Sequence, residues 1–212
     1  MQRRKINSRE YRKVYAIVGD GSTEKIYFDR LKESKRFPSN SRINIKPELP
    51  DKQGKGGGYV RVFNRAQSLS KEHEHVFCLI DMDVVISEGK IEAYRNEKKQ
   101  IEKRGNITVI ENNPCFEIWF LLHFKSTTTS FQKCDDVIQA IQKQPDLGKY
   151  SKSEKALPSF YNRLEPHLCK ACANSRTIEN DKNRESAGPD FPRCQMYLVL
   201  ELLGLCSTDC QT

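Results

Sequence analysis

The hydrophobic pattern of the first 125 residues alternates between short apolar runs and stretches with helical spacing. Short apolar runs predict buried strands, and apolar residues three or four positions apart predict helices. The predicted strands are residues 14–18, 43–45, 76–80 and 107–110, and the predicted helices are 23–35, 60–69 and 91–104. Strands separated by such helices need crossover connections. The pattern therefore predicts an α/β fold, with a mainly parallel sheet and helices on both faces.

The pattern changes after Phe124, where helical spacing continues without clear strands. Predicted helices cover residues 135–144, 154–168 and 195–203, and the polar stretch 174–190 is interpreted as a loop. The expected organisation is a basic N-terminal arm at 1–13, an α/β core at 14–125 and a helical C-terminal region at 126–212 that packs on the core.

The net charge of the chain indicates a class of binding partner. Lys and Arg number 36 against 28 Asp and Glu, which gives a formal charge of +8. This excess favours nucleic acid as a partner, although a solvated basic surface is the plain alternative. The basic arm can lie along phosphates or simply fray. Lys52 and Lys55 flank a glycine-rich stretch at 54–58 that can contact phosphate, but the Walker spacing is missing and an ordinary loop is the alternative.

The sequence also indicates the cellular compartment of the protein. No run approaches the roughly 18 apolar residues of a membrane span, and the charged N-terminus does not resemble a signal peptide. We therefore expect a cytoplasmic protein without membrane contact, whose eight cysteines are reduced thiols or, at some positions, metal ligands. Cys169 and Cys172 have the spacing of half a zinc site. Because a second close pair is missing, zinc there is the less favoured alternative.

Acidic residues follow the first predicted strand, in the place where ligands bind parallel sheets. Asp20 and Glu24 lie in this turn, and Gly19 and Gly21 let its backbone turn sharply. Both acids are candidates for a catalytic site. The structural alternative is a capped helix with an acid near its positive end.

A second acidic pair, Asp81 and Asp83, follows the strand at 76–80. On an extended chain, side chains two apart point to one side, about 6 to 7 Å apart, so both carboxylates can face one metal ion. Oxygen ligands of this kind suit Mg²⁺ or Mn²⁺. A turn that carries two aspartates by chance is the alternative.

The segment 115–124 contributes a further acid. We expect a helix to begin here, with Asn113 as its cap and Pro114 at its first position. Because Glu117 and His123 are its only polar residues, the helix should be buried nearly all round. A buried Glu117 needs a partner, either a metal ion or a cationic or backbone group near the helix start.

These carboxylates are expected to meet at one edge of the sheet, where so much negative charge in a basic chain requires cations. One or two Mg²⁺ or Mn²⁺ ions there can activate a water and stabilise the attacking and leaving oxygens of a phosphodiester. The sequence therefore predicts a metal-dependent enzyme that hydrolyses phosphodiester bonds. The residues expected to form its site are Asp20, Glu24, Asp81, Asp83 and Glu117.

The same residues resemble the RloB-like family, which belongs with the Toprim-type catalytic domains of topoisomerases, bacterial primases and OLD-type nucleases. The resemblance is carried by the turn 19–24 with Tyr27 and Phe28, by the two aspartates after the strand 76–80, and by the segment 113–124. That last segment matches the family's Asn-Pro-Cys-Phe-Glu-x-Trp pattern and its Leu-Leu-His-Phe ending almost letter for letter. The resemblance extends from about residue 14 to about residue 152.

The resemblance implies a Toprim-like, Rossmann-like fold and a Mg²⁺-dependent nuclease used in bacterial defence against phage. It also implies control by an ATPase encoded beside it. Asp81 and Asp83 would hold metal, and Glu117 would be the added carboxylate of this family. Lys152, with Tyr150, would reach the phosphate side of the site.

The sequence departs from the family at the first strand, where such domains usually carry Glu in place of Asp20. The acid that moves a proton or binds metal is therefore Asp20 or Glu24. The substrate class also stays open between RNA such as tRNA and DNA, because phosphate contacts carry no base identity.

Two other functions remain as alternatives. One is a catalytically silent nucleic-acid-binding or regulatory subunit that presents an acidic pocket to a partner ATPase, which the Asp at position 20 favours. The other is a nucleotidyl transferase or primase-like enzyme, which would bind a nucleoside triphosphate.

Overall fold

The chain is built around one mixed, mostly parallel sheet. The computed structural model describes residues 13–34, 36, 43–50, 58–145, 147, 150–181, 188–189 and 191–206. Within them the sheet has five strands in the order β2-β1-β3-β4-β5, and only β5 runs antiparallel to its neighbour. The strands are β1 (Lys13–Val18), β2 (Ile43–Glu48), β3 (His75–Asp81), β4 (Ile107–Asn113) and β5 (Arg193–Cys194).

Helices cover both faces of the sheet, as the alternation of strands and helical spacing predicts. The described α-helices are α1 (Ser22–Glu33), α2 (Tyr59–Leu69), α3 (Met82–Ser87), α4 (Ile91–Glu102), α5 (Glu117–Leu122), α6 (Cys134–Gln142), α7 (Leu157–Leu164), α8 (Leu168–Glu179) and α9 (Met196–Leu202). A short 3-10 helix at Glu165–His167 joins α7 to α8. The predicted α/β class is confirmed, and so is the helical character of the C-terminal half.

Alternate side chains of the strands fill two separate cores. Ile17, Leu79 and Ile110 face α1 and the helices α5 to α9, whereas Val18 and Ile80 face α2, α3 and α4. This two-sided burial explains why these strands appear in the sequence as continuous apolar runs. The larger core contains buried residues from both the α/β half and the helical half.

The sheet order creates a crevice at the carboxyl end of β1. From β1 the chain crosses to β2 on one side and then returns to β3 on the other, so the connections after β1 and β3 leave in opposite directions. Such a reversal is the usual position of ligand sites in open α/β sheets. The carboxyl ends of β1, β3 and β4 are neighbours at this edge.

Several local predictions were wrong. Asn113 is the last residue of β4 and α5 starts at Glu117, so neither Asn113 nor Pro114 begins a helix. The Asn113 amide instead donates to the carbonyl oxygens of Pro189 and Phe191, at 2.7 and 2.6 Å. This pairing satisfies the side chain that was expected to cap the helix.

The predicted loop at 174–190 is also wrong in its first part. Residues 174–179 continue α8, because Ala171, Cys172, Ser175 and Ile178 are buried at helical spacing. The edge strand β5 has only two residues, which pair with Asn112 and Asn113 and leave no pattern in the sequence.

The expectation of reduced cysteines is not met in the structure. Cys115 is bonded to Cys134, and Cys172 is bonded to Cys206. The paired residues are 19 and 34 positions apart, so packing of the helical half brings them together. Because Cys172 has this partner, it does not form half of a zinc site with Cys169, which is not disulfide-bonded.

Some predictions fall outside the described residues. These are the phosphate contacts of Lys52 and Lys55 and the basic arm as far as residue 12. Among the described helices, none has the length and apolar character needed to cross a membrane.

Two leucines of α9 give a matched test of the packing of the helical half. Leu200 is fully buried, whereas Leu202 is 44% exposed. Leu200→Ala is expected to lower the free energy of unfolding by about 2–5 kcal/mol, because it leaves a cavity in the larger core. Leu202→Ala should change it by less than about 0.5 kcal/mol. Urea denaturation measures both, and equal effects would contradict this placement of α9.

Candidate active site

Three carboxylates from separate elements meet at the crevice, and we call them the acid cluster. Glu24 lies in the first turn of α1, Asp81 ends β3, and Glu117 begins α5. Glu24 is 5% exposed and Glu117 is 1% exposed, while Asp81 is partly buried. The sheet therefore brings together predicted site residues that are as much as 93 positions apart, from Glu24 to Glu117.

Glu24 reaches the crevice because the turn after β1 has glycine at positions 19 and 21, where a side chain would contact Glu24. A Cβ atom on Gly19 would lie 2.7 Å from Glu24 Cβ and 2.9 Å from its Cγ. A Cβ atom on Gly21 would lie 3.0 Å from Glu24 Oε2. The two glycines therefore let the carboxylate fold back over the turn toward the end of β1.

Asp81 connects the sheet to the segment that carries Glu117. Its Oδ1 accepts a hydrogen bond of 2.8 Å from the backbone N–H of Phe116. Asp83 also contacts this segment, because its backbone N–H donates to the carbonyl oxygen of Pro114 at 3.0 Å. These two bonds fix the start of α5 against the end of β3.

Glu117 uses its two oxygen atoms in different ways. Oε1 accepts hydrogen bonds from the Tyr150 hydroxyl and the Lys152 ammonium, each at 3.0 Å. Oε2 lies 3.1 Å from Cys134 Sγ. The predicted pairing of this buried acid with a cation is therefore present, and the cation is Lys152.

The charges of the acid cluster are not balanced by this lysine. Burial, with the charges of Glu117 and Asp20, raises the pKa of Glu24 to about 8. Burial, with the charges of Glu24 and Glu117, raises the pKa of Asp81 well above its usual range. Burial disfavours the charged form of Lys152, but the carboxylates of Glu117, Asp81 and Glu24 outweigh it and raise the pKa of Lys152. A further cation would relieve the repulsion that remains.

Asp20 and Asp83 lie at the rim of the crevice. Asp20 is exposed and its Oδ1 lies 3.3 Å from Arg61 Nη2. Asp83 is in the first turn of α3, so the expectation of extended backbone from Asp81 to Asp83 is wrong. Both nevertheless line, with Asp81 and Lys152, a cavity of about 650 Å³. Of the two first-strand candidates, Glu24 is the one that belongs to the buried cluster.

The donor atoms of this site are of the chemical type that a hard divalent cation prefers. Glu24, Asp81 and Glu117 offer carboxylate oxygens, which are the ligands that Mg²⁺ and Mn²⁺ prefer. The raised pKa values of Glu24 and Asp81 show that burial and mutual repulsion penalise their negative charge. Binding of a divalent cation would favour the ionised carboxylates.

The sequence did not identify a second charged network at the end of β4. Glu111 is 4% exposed and accepts hydrogen bonds from the Tyr94 hydroxyl at 2.9 Å and the Lys98 ammonium at 2.7 Å. Arg193 on β5 forms an ion pair with its other oxygen. The one available signal was the position of Glu111 at the end of a predicted strand. The partners of Glu111 lie on other elements, and the pattern of residues in those elements does not indicate that they contact Glu111.

His123 has a structural role. It is fully buried, and its Nδ1 lies 2.8 Å from the carbonyl oxygen of Trp119. Burial lowers its pKa to about 3, so the ring is neutral. His123 is therefore a histidine that is hydrogen-bonded within the core.

The fold and the crevice define an α/β protein with a buried carboxylate cluster at the carboxyl edge of its parallel strands. The family model described as "RloB-like protein" matches residues 15–203. The chain therefore belongs to the RloB-like family, as the turn 19–24 and the segment 113–124 led us to expect. No curated protein and no solved structure matches the chain.

The raised pKa of Glu24 predicts a pH-dependent stability. Its folded-state value of about 8 lies above the ordinary value of 4.5, so the associated stability is fully present below pH 4.5 and is lost as the pH rises through 8. The free energy of unfolding should be measured in the presence of chelator at pH 5 and at pH 9. Between these pH values it should fall more in the unmodified protein than in Glu24→Gln, by a difference of more than about 1 kcal/mol.

The matched control for this test is Asp29→Asn. Asp29 lies on the same helix but pairs with Lys25 at the surface, at 2.6 Å. This variant should keep the pH dependence of the unmodified protein. Parallel curves for Glu24→Gln and the unmodified protein would show that the Glu24 carboxyl is not responsible.

The glycine turn provides another test. Gly19→Ala places a methyl group against the Cβ and Cγ of Glu24 and should lower the free energy of unfolding by about 1–3 kcal/mol. Gly21→Ala meets only the movable end of the same side chain, so its effect should be smaller. Guanidinium denaturation compares them. A larger loss in Gly21→Ala would contradict the fold-back of Glu24.

Proposed function

We propose that the chain is a Mg²⁺- or Mn²⁺-dependent nuclease that hydrolyses phosphodiester bonds of nucleic acid. The observation that carries this proposal is the acid cluster, in which Glu24, Asp81 and Glu117 are buried together with too little positive charge. Of the acid cluster, Asp81 lines a cavity of about 650 Å³ at the crevice between β1 and β3, and this position supports a catalytic site.

In this proposal Asp81 and Glu117 hold the metal ion, and Asp83 and Asp20 contribute from the rim. The ion would activate a water and stabilise the charge that develops on the phosphodiester. Glu24, whose pKa is raised to about 8, has the acidity suited to proton transfer at neutral pH. Lys152 lines the cavity and is half-exposed, so its ammonium can contact a phosphate there while it orients Glu117.

Nucleic acid is proposed as the substrate because of the net charge of +8 and the acidic crevice within a basic chain. Use in bacterial defence against phage, and control by a partner ATPase, are proposed from membership of the RloB-like family. The substrate class includes RNA such as tRNA as well as DNA.

A second candidate is a silent regulatory subunit with the same pocket. The contact between Lys152 and Glu117 favours it, because an internal cation already neutralises part of the cluster. Such a subunit would bind nucleic acid or a partner ATPase without cutting any substrate.

Cleavage assays separate the two candidates. Purified protein with Mn²⁺ should cleave at least one of mixed tRNA, single-stranded DNA and duplex DNA, and chelator should stop the reaction. Asp81→Asn and Glu24→Gln should each lower the rate by at least about 100-fold. Asp29→Asn, a surface change on α1, should leave the rate unchanged.

The Asp81→Asn, Asp83→Asn double variant guards against contamination. Equal cleavage by this variant and the unmodified protein would refute the assignment of the active site. Mn²⁺ binding without cleavage of any of the three substrates would favour the silent subunit instead.

A further inference from the structure

A sulfur pair adjoins the acid cluster. Cys115 is buried and is bonded to Cys134, the first residue of α6. The two sulfur atoms and one oxygen of Glu117 all lie within 4.8 Å of one another. Cys134 also lines the cavity of the candidate active site, so solutes in that cavity can reach the pair.

The second oxygen of Glu117 faces this pair. Oε1 is occupied by Tyr150 and Lys152, whereas Oε2 lies 3.1 Å from Cys134 Sγ. While the disulfide is closed, Cys134 has no proton to donate. Within the described part of the chain, Oε2 of a side chain that is 1% exposed therefore points at a sulfur atom that cannot form a hydrogen bond to it.

We propose that reduction of the Cys115–Cys134 bond creates a binding site for one Zn²⁺ ion, with the two sulfur atoms and Glu117 Oε2 as ligands. This inference does not rest on the proposed nuclease function, although Glu117 belongs to both sites. A dithiol supplies two electrons and two protons, which break the S–S bond and form two thiols while the dithiol closes to its own disulfide. On binding, both thiols release their protons to solvent, and the thiolates coordinate the ion.

The dimensions of the cluster suit zinc. Ideal Zn–S and Zn–O distances of about 2.3 and 2.0 Å place tetrahedral ligand atoms roughly 3.3–3.8 Å apart. The distance of 3.1 Å between Glu117 Oε2 and Cys134 Sγ is close to this range. The sulfur atoms separate once their bond is broken, and the cavity side leaves room for a water as the fourth ligand.

The chemistry of the ligands separates this site from the acid cluster. Thiolates select zinc over Mg²⁺, whereas the carboxylates of Glu24 and Asp81 favour the harder ions. Lys152 Nζ lies 3.3 Å from Cys134 Sγ, and a nearby ammonium stabilises a thiolate. Glu117 is therefore shared between two sites of different metal preference.

Metal binding to the full chain tests the proposal without any activity assay. Protein reduced with dithiothreitol, freed of reductant under nitrogen and dialysed against Zn²⁺ should retain one equivalent more than oxidised protein. Co²⁺ in place of Zn²⁺ should give thiolate-to-cobalt charge-transfer absorption in the reduced protein alone. Equal metal content in both redox states, or no such absorption, would overturn the proposal.

Variants then locate the site. Cys115→Ser and Cys134→Ser should each weaken Zn²⁺ binding at least ten-fold. The Cys172→Ser, Cys206→Ser double variant removes the other disulfide and should keep the Zn²⁺ affinity of the unmodified protein. Loss of binding in this control instead would place the ion elsewhere and refute the assignment.

A measurement on unmodified protein covers the case in which a variant does not fold. Bound Zn²⁺ should protect Cys115 and Cys134 from alkylation by iodoacetamide, as peptide mass mapping would show. Full alkylation of both in the presence of stoichiometric Zn²⁺ would overturn the proposal. A nuclease assay plays no part in these results, so failure of the zinc site and failure of the proposed function are distinguishable.

Discussion

Repulsion among buried carboxylates is the constraint around which the crevice is organised. Each ionised carboxylate removed from water costs several kcal/mol unless a cation or hydrogen-bond donors compensate it. Glu117 receives Tyr150 and Lys152, and Asp81 receives the backbone N–H of Phe116. Burial, with the charges of Glu117 and Asp20, raises the pKa of Glu24 to about 8. The folded chain thus tolerates a concentration of negative charge that its own donors only partly offset.

The backbone around the crevice is arranged to keep these charges together. Gly19 and Gly21 allow Glu24 to fold back, since a Cβ atom at Gly19 would lie 2.7 Å from the Cβ of Glu24. Asp81 holds the N–H of Phe116, one residue before Glu117. The side chain of Asp81 therefore also fixes the position of Glu117, another member of the acid cluster. Loss of Asp81 would remove both a charge and the anchor of α5.

The sequence was sufficient for the α/β class because β1, β3 and β4 are apolar runs separated by clear helical spacing. It was also sufficient to place the carboxyl ends of these strands at one edge, since parallel strands share that edge. It did not decide between Asp20 and Glu24, because the answer depends on how one side chain folds over two glycines. The helix at Asp83 was missed because the backbone from Asp81 to Asp83 was taken to be extended, with both carboxylates on one side. The disulfides and β5 depend on contacts between distant segments, which leave no local pattern.

Glu111 shows that the electrostatics of the acid cluster are not a general result of burial in this fold. It lies six residues before Glu117, is 4% exposed, and sits at the same edge of the sheet. Burial alone would raise its pKa, yet the charges of Arg193 and Lys98 outweigh burial and lower it. The chain therefore supplies two cations to a carboxylate at the end of β4. At the crevice between β1 and β3, Lys152 forms an ion pair with Glu117 alone of the three carboxylates whose contacts are described. Since the same short segment contains a fully paired carboxylate, the deficit of positive charge at Glu24 and Asp81 is a specific property of the crevice. A site that binds an external cation requires such a deficit of positive charge.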